Sequence, residues 1–172
     1  MGPLDDTIVL DLSRVLAGPF STQMLADLGA TVWKIESPWG DDTRRWGPPF
    51  LKSESAYYLS ANRGKKSVVV NLRDERGQGL IRKMAQRADI LVENFKVGDL
   101  ARRGLDYDSV SKINPRLIYA SVTGFGQTGP RAPEPGYDAA LQGMTGVMSV
   151  TGETDGPPPK VGVAWIDILT GL

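Results

Sequence analysis

The chain has 172 residues, of which 41% are hydrophobic, so it is long enough to bury one sizeable core. Its 20 basic and 20 acidic residues cancel, which excludes a global field that would draw it to nucleic acid or to an anionic membrane. The absence of cysteine and histidine excludes disulfides, thiol nucleophiles, Cys/His metal sites and imidazole mechanisms. We therefore expect carboxylate, lysine or tyrosine chemistry, without a metal, a nucleic acid or a membrane as partner.

The first residues carry none of the features of a targeting segment. Asp5 and Asp6 stand where a secretory signal would be positively charged, and Asp6 also replaces the Ser or Thr of a myristoylation signal. No apolar run approaches the roughly 20 residues that span a bilayer. We therefore expect a cytoplasmic protein.

Strand and helix patterns alternate from the start of the chain. Residues 7–12 predict a strand, residues 20–28 a helix that stops at Gly29, and residues 31–35 a second strand, which together make one βαβ unit. Further strands are predicted at 67–71, 90–92 and 117–122, and helices at 75–88, 98–103, 107–113 and 139–145, with Asp74 as an N-cap. This alternation predicts an α/β fold with an open, mostly parallel, Rossmann-like sheet and flanking helices. Ligands of such sheets lie beyond the carboxyl ends of the strands.

Two stretches break the alternation. Residues 37–62 form a loop rich in glycine and proline, long enough to suggest a functional role. Residues 124–129 match the glycine spacing of a dinucleotide-binding fingerprint and follow a strand, but Pro130 disfavours the helix that such a fingerprint requires. A plain glycine turn is the better interpretation, which leaves a nicotinamide-dependent oxidoreductase as the weakest functional hypothesis.

Residues 160–172 contain the most informative carboxylate of the chain. The apolar run 161–166 predicts a buried strand or a tightly packed segment that leads to Asp167. Asp167 has a structural interpretation, as the N-cap of a helix that begins at Ile168, and a functional one, as a pocket carboxylate for nucleophilic or acid–base chemistry. The two interpretations are compatible, because a helix N-terminus favours the ionised carboxylate.

Two basic clusters stand out in an otherwise neutral chain. They comprise Arg44 and Arg45 beside Trp46, and then Arg63, Lys65 and Lys66. The first interpretation is solvated surface, and the second is a set of clamps for phosphate or carboxylate groups. The segment 93–95 (ENF) similarly reads either as a strand-end turn favoured by Asn or as a ligand contact at the carboxyl end of a parallel strand.

Several ordered blocks together carry a family resemblance. They are 13–19 (SRVLAGP), 25–30 with 34–36, 40–44, 62–67, 92–95, 121–126, 136–138 and 162–167. In this order they resemble the N-terminal part of the family III CoA-transferases, from about Ile8 to the last residue. The resemblance implies that residues 1–172 are the N-terminal portion of the family's large domain, incomplete by themselves. It also implies a larger, interlocked fold that forms a homodimer when the protein is full length.

The resemblance assigns roles to seven residues. Asp167 matches the catalytic aspartate, which attacks an acyl-CoA thioester and carries the group through a covalent aspartyl intermediate. Val15, Asn94, Phe95 and Arg102 match contacts to coenzyme A, and Leu16 and Tyr137 match the substrate pocket. Coenzyme A is then a substrate, with no tightly bound cofactor, and the acceptor is a small carboxylic acid. The loop 44–50 is similar to that of succinyl-CoA-dependent dicarboxylate transferases.

Departures from the family pattern leave alternatives open. Leu16 replaces the glutamine of formyl-CoA transferase, which favours a larger acyl group. The related CoA-linked racemases use a histidine where this chain has Tyr137, so transfer is favoured over racemisation or epimerisation. Because family members are much longer, a non-catalytic CoA-binding fragment is the third hypothesis. We then expect exposed apolar side chains at Ile168, Leu169 and Leu172, and poor activity of the 172 residues alone.

Overall fold

The computed structural model describes residues 2–172, and Met1 lies outside the described residues. A five-stranded sheet and a two-stranded hairpin are surrounded by helices. The sheet contains β1 (Ile8–Asp11), β2 (Thr31–Glu36), β5 (Lys66–Val69), β6 (Ile90–Glu93) and β7 (Ile118–Ser121), and the hairpin contains β3 (Phe50–Leu51) and β4 (Glu54–Ser55). The helices are α1 (Ala17–Asp27), α2 (Ala56–Asn62), α3 (Glu75–Ala85), α4 (Tyr107–Val110), α5 (Asp138–Met144) and α6 (Trp165–Gly171), with 3-10 turns at Asp42–Arg45, Ala101–Arg103 and Val147–Val150.

The sheet is parallel throughout, in the order β5-β2-β1-β6-β7. From β1 the chain adds β2 and β5 on one side, and afterwards β6 and β7 on the other. The order therefore reverses between β1 and β6, where the Leu12 N–H donates to the Val92 carbonyl at 2.8 Å. Ligands of open α/β sheets bind at such a reversal, beyond the carboxyl ends of the strands. The predicted α/β fold with an open parallel sheet is confirmed.

The core lies on both faces of the central strands. Val9, Leu10 and Leu91 are completely buried, which explains why these strands are continuous apolar runs rather than alternating ones. Ile81 of α3 packs against one face of the sheet, while α1 covers the other. The predicted N-cap of α3 is confirmed, since the Asp74 carboxylate accepts the Arg76 N–H at 2.8 Å. Burial and local capping thus both act as the amino-acid pattern indicates.

The structure corrects the prediction for residues 161–166. They form no strand: the segment is irregular as far as Ala164, and Val163 is 52% exposed. The helix begins at Trp165, so Asp167 is the third residue of α6 and not its N-cap. The physical reason is that the backbone of this segment bonds to a buried side chain of α5, Gln142, instead of to a neighbouring strand.

Two other expectations, a turn at 124–129 and exposed apolar side chains near the end of the chain, are confirmed except at one residue. No helix follows the glycines of 124–129 before α5 begins at Asp138, so this stretch is a turn. Leu169 and Leu172 are 47% and 75% exposed, as expected. The expectation is wrong for Ile168, which is half-buried. Within residues 2–172, no helix combines the length and apolar character needed to cross a bilayer.

Candidate active site

The connection between β1 and α1 is held by the side chain of Asn94. The Asn94 Oδ1 accepts the Arg14 N–H at 2.9 Å, and its Nδ2 donates to the Arg14 carbonyl at 2.7 Å. The next residue, Val15, has a φ of 71°, a left-handed conformation that is strained for a β-branched side chain. Strain of this kind persists only where surrounding contacts impose it, and it concentrates at ligand sites. Val15, Leu16 and Asn94 are therefore brought together where the strand order reverses.

A cleft of about 350 Å³ opens beyond the carboxyl ends of β1, β2 and β5. Its lining includes Arg14, Trp39, Arg73, Phe95 and Arg103, together with the carboxylates of Glu36, Asp42 and Asp99. The Arg14 guanidinium lies 5.2 Å from the centre of the Phe95 ring, and Trp39 is 80% exposed. Guanidinium groups beside an exposed aromatic ring suit a ligand that combines phosphates with a planar base.

Of the four predicted coenzyme A contacts, Phe95 lines this cleft, and Val15 and Asn94 form the adjoining turn after β1. Arg102 belongs to neither group. Its guanidinium is exposed and pairs with Asp99, and it is not part of the cleft lining, whereas Asp99 and the adjacent Arg103 are. Arg103 donates to the Asp99 carbonyl at 2.6 Å, which holds this short turn against the cleft.

A second cleft, of about 360 Å³, lies beyond β6 and β7 on the other side of Phe95, which lines both. Its lining includes Glu93, Asp106 and Tyr119. Burial raises the pKa of Glu93, although hydrogen bonds from Ser121 and from the Phe95 N–H oppose the rise. Glu93, one of the strand-end residues singled out in the sequence, therefore belongs to the wall of this second cleft.

Asp167 projects from α6, which packs directly on the start of α1. A Cβ placed on Gly171 would lie 2.7 Å from the Ala17 carbonyl oxygen, so only glycine allows the two helices to approach this closely. The Asp167 carboxylate is half-buried and accepts no hydrogen bond from residues 2–172. Burial, and then the charge of Asp138, raises its pKa to about 6. A carboxylate with a perturbed pKa and no compensating hydrogen bond is typical of a functional site.

Aromatic residues of the long loop and of α2 face the same region. Burial and the charges of Asp167 and Asp138 raise the pKa of Tyr57 to about 12, so its hydroxyl stays protonated near the carboxylate. Trp46 packs edge-on against Tyr57 with ring centres 5.3 Å apart. Tyr137 precedes α5 and is 74% exposed. Sequence reasoning had singled out Trp46 as part of a basic cluster but had missed Tyr57, because no pattern along the chain links it to Asp167.

Two residues of the basic clusters, Arg44 and Lys65, are structural. Arg44 donates two hydrogen bonds to the Glu36 carboxylate, both at 2.7 Å. It also donates to the Glu54 carboxylate at 2.8 Å and to the Tyr58 hydroxyl. This fork ties the long loop to the end of β2. Hydrogen bonds from Arg44 and other neighbours hold the pKa of Glu36 at about 2, although burial alone would raise it. For Arg44 the solvated-surface interpretation is therefore wrong, and the carboxylates that its guanidinium holds belong to the chain itself.

Lys65 is likewise buried instead of solvated. Its Nζ lies 3.0 Å from the Asp11 carboxylate and 2.8 Å from the Pro19 carbonyl. Lys34, buried beside it, pairs with Asp41 at 2.9 Å. Burial lowers the pKa of Lys65 to about 8, against the opposing effect of Asp11. These ion pairs stabilise the ends of β1 and β2, whereas Arg45, Arg63 and Lys66 are exposed as the surface interpretation expects.

The fold and this site define an α/β protein with a cleft at the reversal of its strand order, where such sheets bind ligands, and with a half-buried carboxylate of raised pKa on α6. The sequence profile of CoA-transferase family III matches residues 4–172, and the chain belongs to that family. The chain is 54% identical to the succinate–glutarate CoA-transferase of Agrobacterium fabrum, over 99% of its own length and 44% of the relative's. It is 52% identical to the mouse succinyl-CoA:glutarate CoA-transferase, over 100% of its own length and 40% of the relative's.

Solved structures also match this chain over nearly all of its length and over less than half of theirs. A CAIB/BAIF family protein from Brucella suis superimposes with a TM-score of 0.96 at 53% identity, covering 99% of this chain and 46% of that one. A hypothetical protein from Mycobacterium tuberculosis superimposes with a TM-score of 0.90 at 36% identity, covering 99% and 47%. The chain therefore spans less than half the length of the relatives it matches.

Proposed function

We propose that the full-length protein transfers coenzyme A from an acyl-CoA thioester to a carboxylic acid through a covalent intermediate on Asp167. The observation that carries this proposal is the Asp167 carboxylate itself. It is half-buried, it accepts no hydrogen bond from residues 2–172, and its pKa is raised to about 6. At neutral pH it is ionised yet poorly solvated, which is the state in which a carboxylate is most nucleophilic.

The proposed reaction takes four acyl-transfer steps. The Asp167 carboxylate attacks the thioester carbonyl, which forms a mixed anhydride and releases the CoA thiolate. The thiolate then attacks the aspartyl carbonyl of the anhydride, which gives an aspartyl-CoA thioester and frees the donor acid as its carboxylate. The acceptor carboxylate attacks that thioester and again releases the thiolate, which finally attacks the acceptor's acyl carbon. The products are the new acyl-CoA and the regenerated Asp167 carboxylate, and no oxidant or metal enters the balance.

We propose that coenzyme A lies along the first cleft. Arg14, Arg73 and Arg103 are suited to its phosphates, because guanidinium groups form bidentate bonds to phosphate oxygens, and Trp39 offers a stacking surface for adenine. The strained backbone at Val15, held by Asn94 and flanked by Phe95, would direct the pantetheine arm toward α1 and Asp167. Arg102 would join the phosphate contacts after exchanging its Asp99 partner.

The proposed substrates follow from the relatives together with the pocket. Relatives at 50% identity or more include transferases named for succinate, succinyl-CoA and glutarate. We propose succinyl-CoA as donor and a dicarboxylate as acceptor for this protein, bound against Leu16 and Tyr137. Coenzyme A is exchanged as a substrate and not retained as a tightly bound cofactor.

The proposal also covers the assembly of the whole protein. Residues 1–172 would form the N-terminal portion of a large domain, in a full-length homodimer located in the cytoplasm. Trp165, Leu169 and Leu172 leave apolar area exposed on and beside the helix that carries Asp167, which supports additional chain packing there.

The test is covalent trapping on the full-length protein. Incubation with succinyl-CoA, followed by hydroxylamine or borohydride, should modify Asp167, as read by peptide mass spectrometry. The Asp167→Asn variant should show no modification, and Asp155→Asn, which changes an exposed aspartate, should be labelled like the wild type. Coenzyme A binding without any acyl-CoA-dependent label would indicate a non-catalytic CoA-binding protein instead. Loss of α-deuterium from the donor during turnover would indicate a racemase.

A further inference from the structure

Helix α6 is not capped by its own sequence. Ala164 occupies the N-cap position and offers no side-chain acceptor, so the first N–H groups of the helix need partners from elsewhere. Asp138 supplies one: its Oδ1 accepts the Ile166 N–H at 2.7 Å and the Asp167 N–H at 3.2 Å. The cap therefore comes from α5, 28 and 29 positions earlier in the chain.

Gln142 completes this arrangement from the next turn of α5. It is 0% exposed, and its Nε2 donates both to the Asp138 Oδ2 at 2.7 Å and to the Val163 carbonyl at 3.1 Å. Its Oε1 accepts the Val161 N–H at 2.8 Å. One buried amide thus orients the capping carboxylate and also fixes the backbone that enters α6. A buried amide with these partners is costly to leave unsatisfied, so alternative positions of the segment are disfavoured.

On the basis of the proposed transferase function, we propose that Asp138 and Gln142 are positioning residues for the reaction. They hold the start of α6 so that the Asp167 carboxylate faces the substrate and accepts no hydrogen bond from the protein. We call this pair the α5 clamp. Neither residue is expected to touch the reacting atoms. They act through the backbone of residues 161–167.

The α5 clamp also changes the electrostatics at Asp167. The first N–H groups of a helix ordinarily stabilise a nearby carboxylate, but here Asp138 occupies two of them and adds a negative charge of its own. The other titratable group that interacts with Asp167 is the Tyr57 hydroxyl of α2, which is neutral at physiological pH. Helix α1, also packed on α6, carries its titratable group, Asp27, at its far end, paired with Arg63. The Asp167 carboxylate thus remains basic, as an attacking group requires.

The sharpest test, in the full-length protein, reverses which of the two positions of the α5 clamp carries a carboxylate and which carries an amide. Gln142→Glu places a carboxylate against that of Asp138 and should lower kcat by about 30-fold or more, with the KM for the acyl-CoA changed by less than about 3-fold. The double variant Asp138→Asn/Gln142→Glu restores the donor–acceptor pair between positions 138 and 142 in the opposite sense. Because position 142 still lacks a donor for the Val163 carbonyl, the double variant should recover about 10-fold of that loss and not all of it. Gln86→Glu, at the exposed end of α3, serves as the matched control and should leave kcat unchanged.

Two further readouts separate positioning from simple destabilisation. The apparent pKa in the pH profile of kcat should fall in Asp138→Asn, because a negative charge beside Asp167 is removed. Amide exchange at Ile166 and Asp167 should quicken in Gln142→Glu and slow again in the double variant, whether or not the protein is a transferase. If Asp167 is trapped in the wild type but both single variants keep the wild-type kcat and pH profile, the α5 clamp proposal is overturned. If exchange responds as expected but no acyl-CoA ever labels Asp167, the transferase proposal fails instead.

Discussion

Asn94 holds Arg14 through both ends of its side-chain amide, at 2.9 and 2.7 Å, in the manner of one extra pair of β-sheet hydrogen bonds. This relationship joins the ends of β1 and β6 where the strand order reverses. The residue that directly follows Arg14, Val15, has a left-handed backbone. The predicted ligand site therefore combines a side-chain contact between two strand ends with a strained residue directly beside it.

Replacement of Asn94 by aspartate tests that role. The new carboxylate could accept the Arg14 N–H but would repel the Arg14 carbonyl, so the turn at Val15 should relax. We expect about a 10-fold weaker affinity for coenzyme A, measured by calorimetry, with little change in the melting temperature. Val15→Gly is the matched variant, because glycine adopts a positive φ without strain, and it should bind more tightly than Asn94→Asp. Equal affinity of wild type and Asn94→Asp would contradict the proposed site.

The reactivity of Asp167 should depend on pH. Its pKa is raised to about 6, by burial first and then by Asp138, so the nucleophilic form is lost as the pH falls below 6. The rate of acyl-CoA-dependent labelling should rise about tenfold per pH unit below pH 6 and level off above about pH 7. Rapid-quench mass spectrometry between pH 5 and 8 measures this. A flat profile over that range would show that the Asp167 charge does not control the step.

The same shift predicts an effect on stability. The folded-state pKa of Asp167 lies above its unfolded value of 3.8, so the folded state favours the protonated side chain. The contribution of this residue to the free energy of unfolding is therefore fully present below about pH 3.8 and is lost as the pH rises through about 6. Asp167→Asn removes the buried charge, and it should therefore raise the melting temperature at pH 7.5 but have less effect at pH 5. Thermal unfolding at the two pH values gives the comparison. A larger gain at pH 5 than at pH 7.5 would contradict the assigned shift.

Arg44 should be important for the loop and dispensable for coenzyme A binding. Arg44→Lys keeps the charge but loses the two-nitrogen grip on Glu36 and the bond to Glu54, which should lower the free energy of unfolding by about 1–3 kcal/mol. Urea denaturation measures the loss, and amide exchange should quicken in residues 41–55. Arg45→Lys, an exposed neighbour of the same type, is the control and should change neither.

Arg73 should contribute to binding through phosphate. Arg73→Gln removes one guanidinium from the first cleft and should weaken coenzyme A binding about 5- to 10-fold, an effect that diminishes at high salt. Pantetheine, which carries no phosphate, should bind wild type and variant alike. Arg87→Gln changes an exposed arginine beyond α3 and provides the control. An equal loss for pantetheine would point to a structural defect instead of a lost phosphate contact.

Short-range signals explain which features could be predicted from the sequence. The apolar runs of β1, β2 and β6, the cap at Asp74 and the glycine turn at 124–129 depend on neighbouring residues, so their patterns along the chain were sufficient. The ordered blocks also pointed correctly to CoA-transferase family III, since a family resemblance is itself a property of the sequence.

Long-range pairing decided the rest. A buried strand or tightly packed segment was predicted at 161–166, but no strand forms because Gln142 of α5 binds that backbone. Helix α6 begins earlier than predicted, at Trp165, where Asp138 caps it from 28 positions away. Lys65 looked like surface, yet it is buried against Asp11, from which 54 positions separate it. A charge, an amide or a cap has no preferred partner until the chain folds, because hydrogen bonds and ion pairs depend on distance in space. The sequence by itself therefore determined the sheet and the family and singled out the carboxylate of Asp167, whereas the tertiary structure decided how that carboxylate is held and which groups surround it.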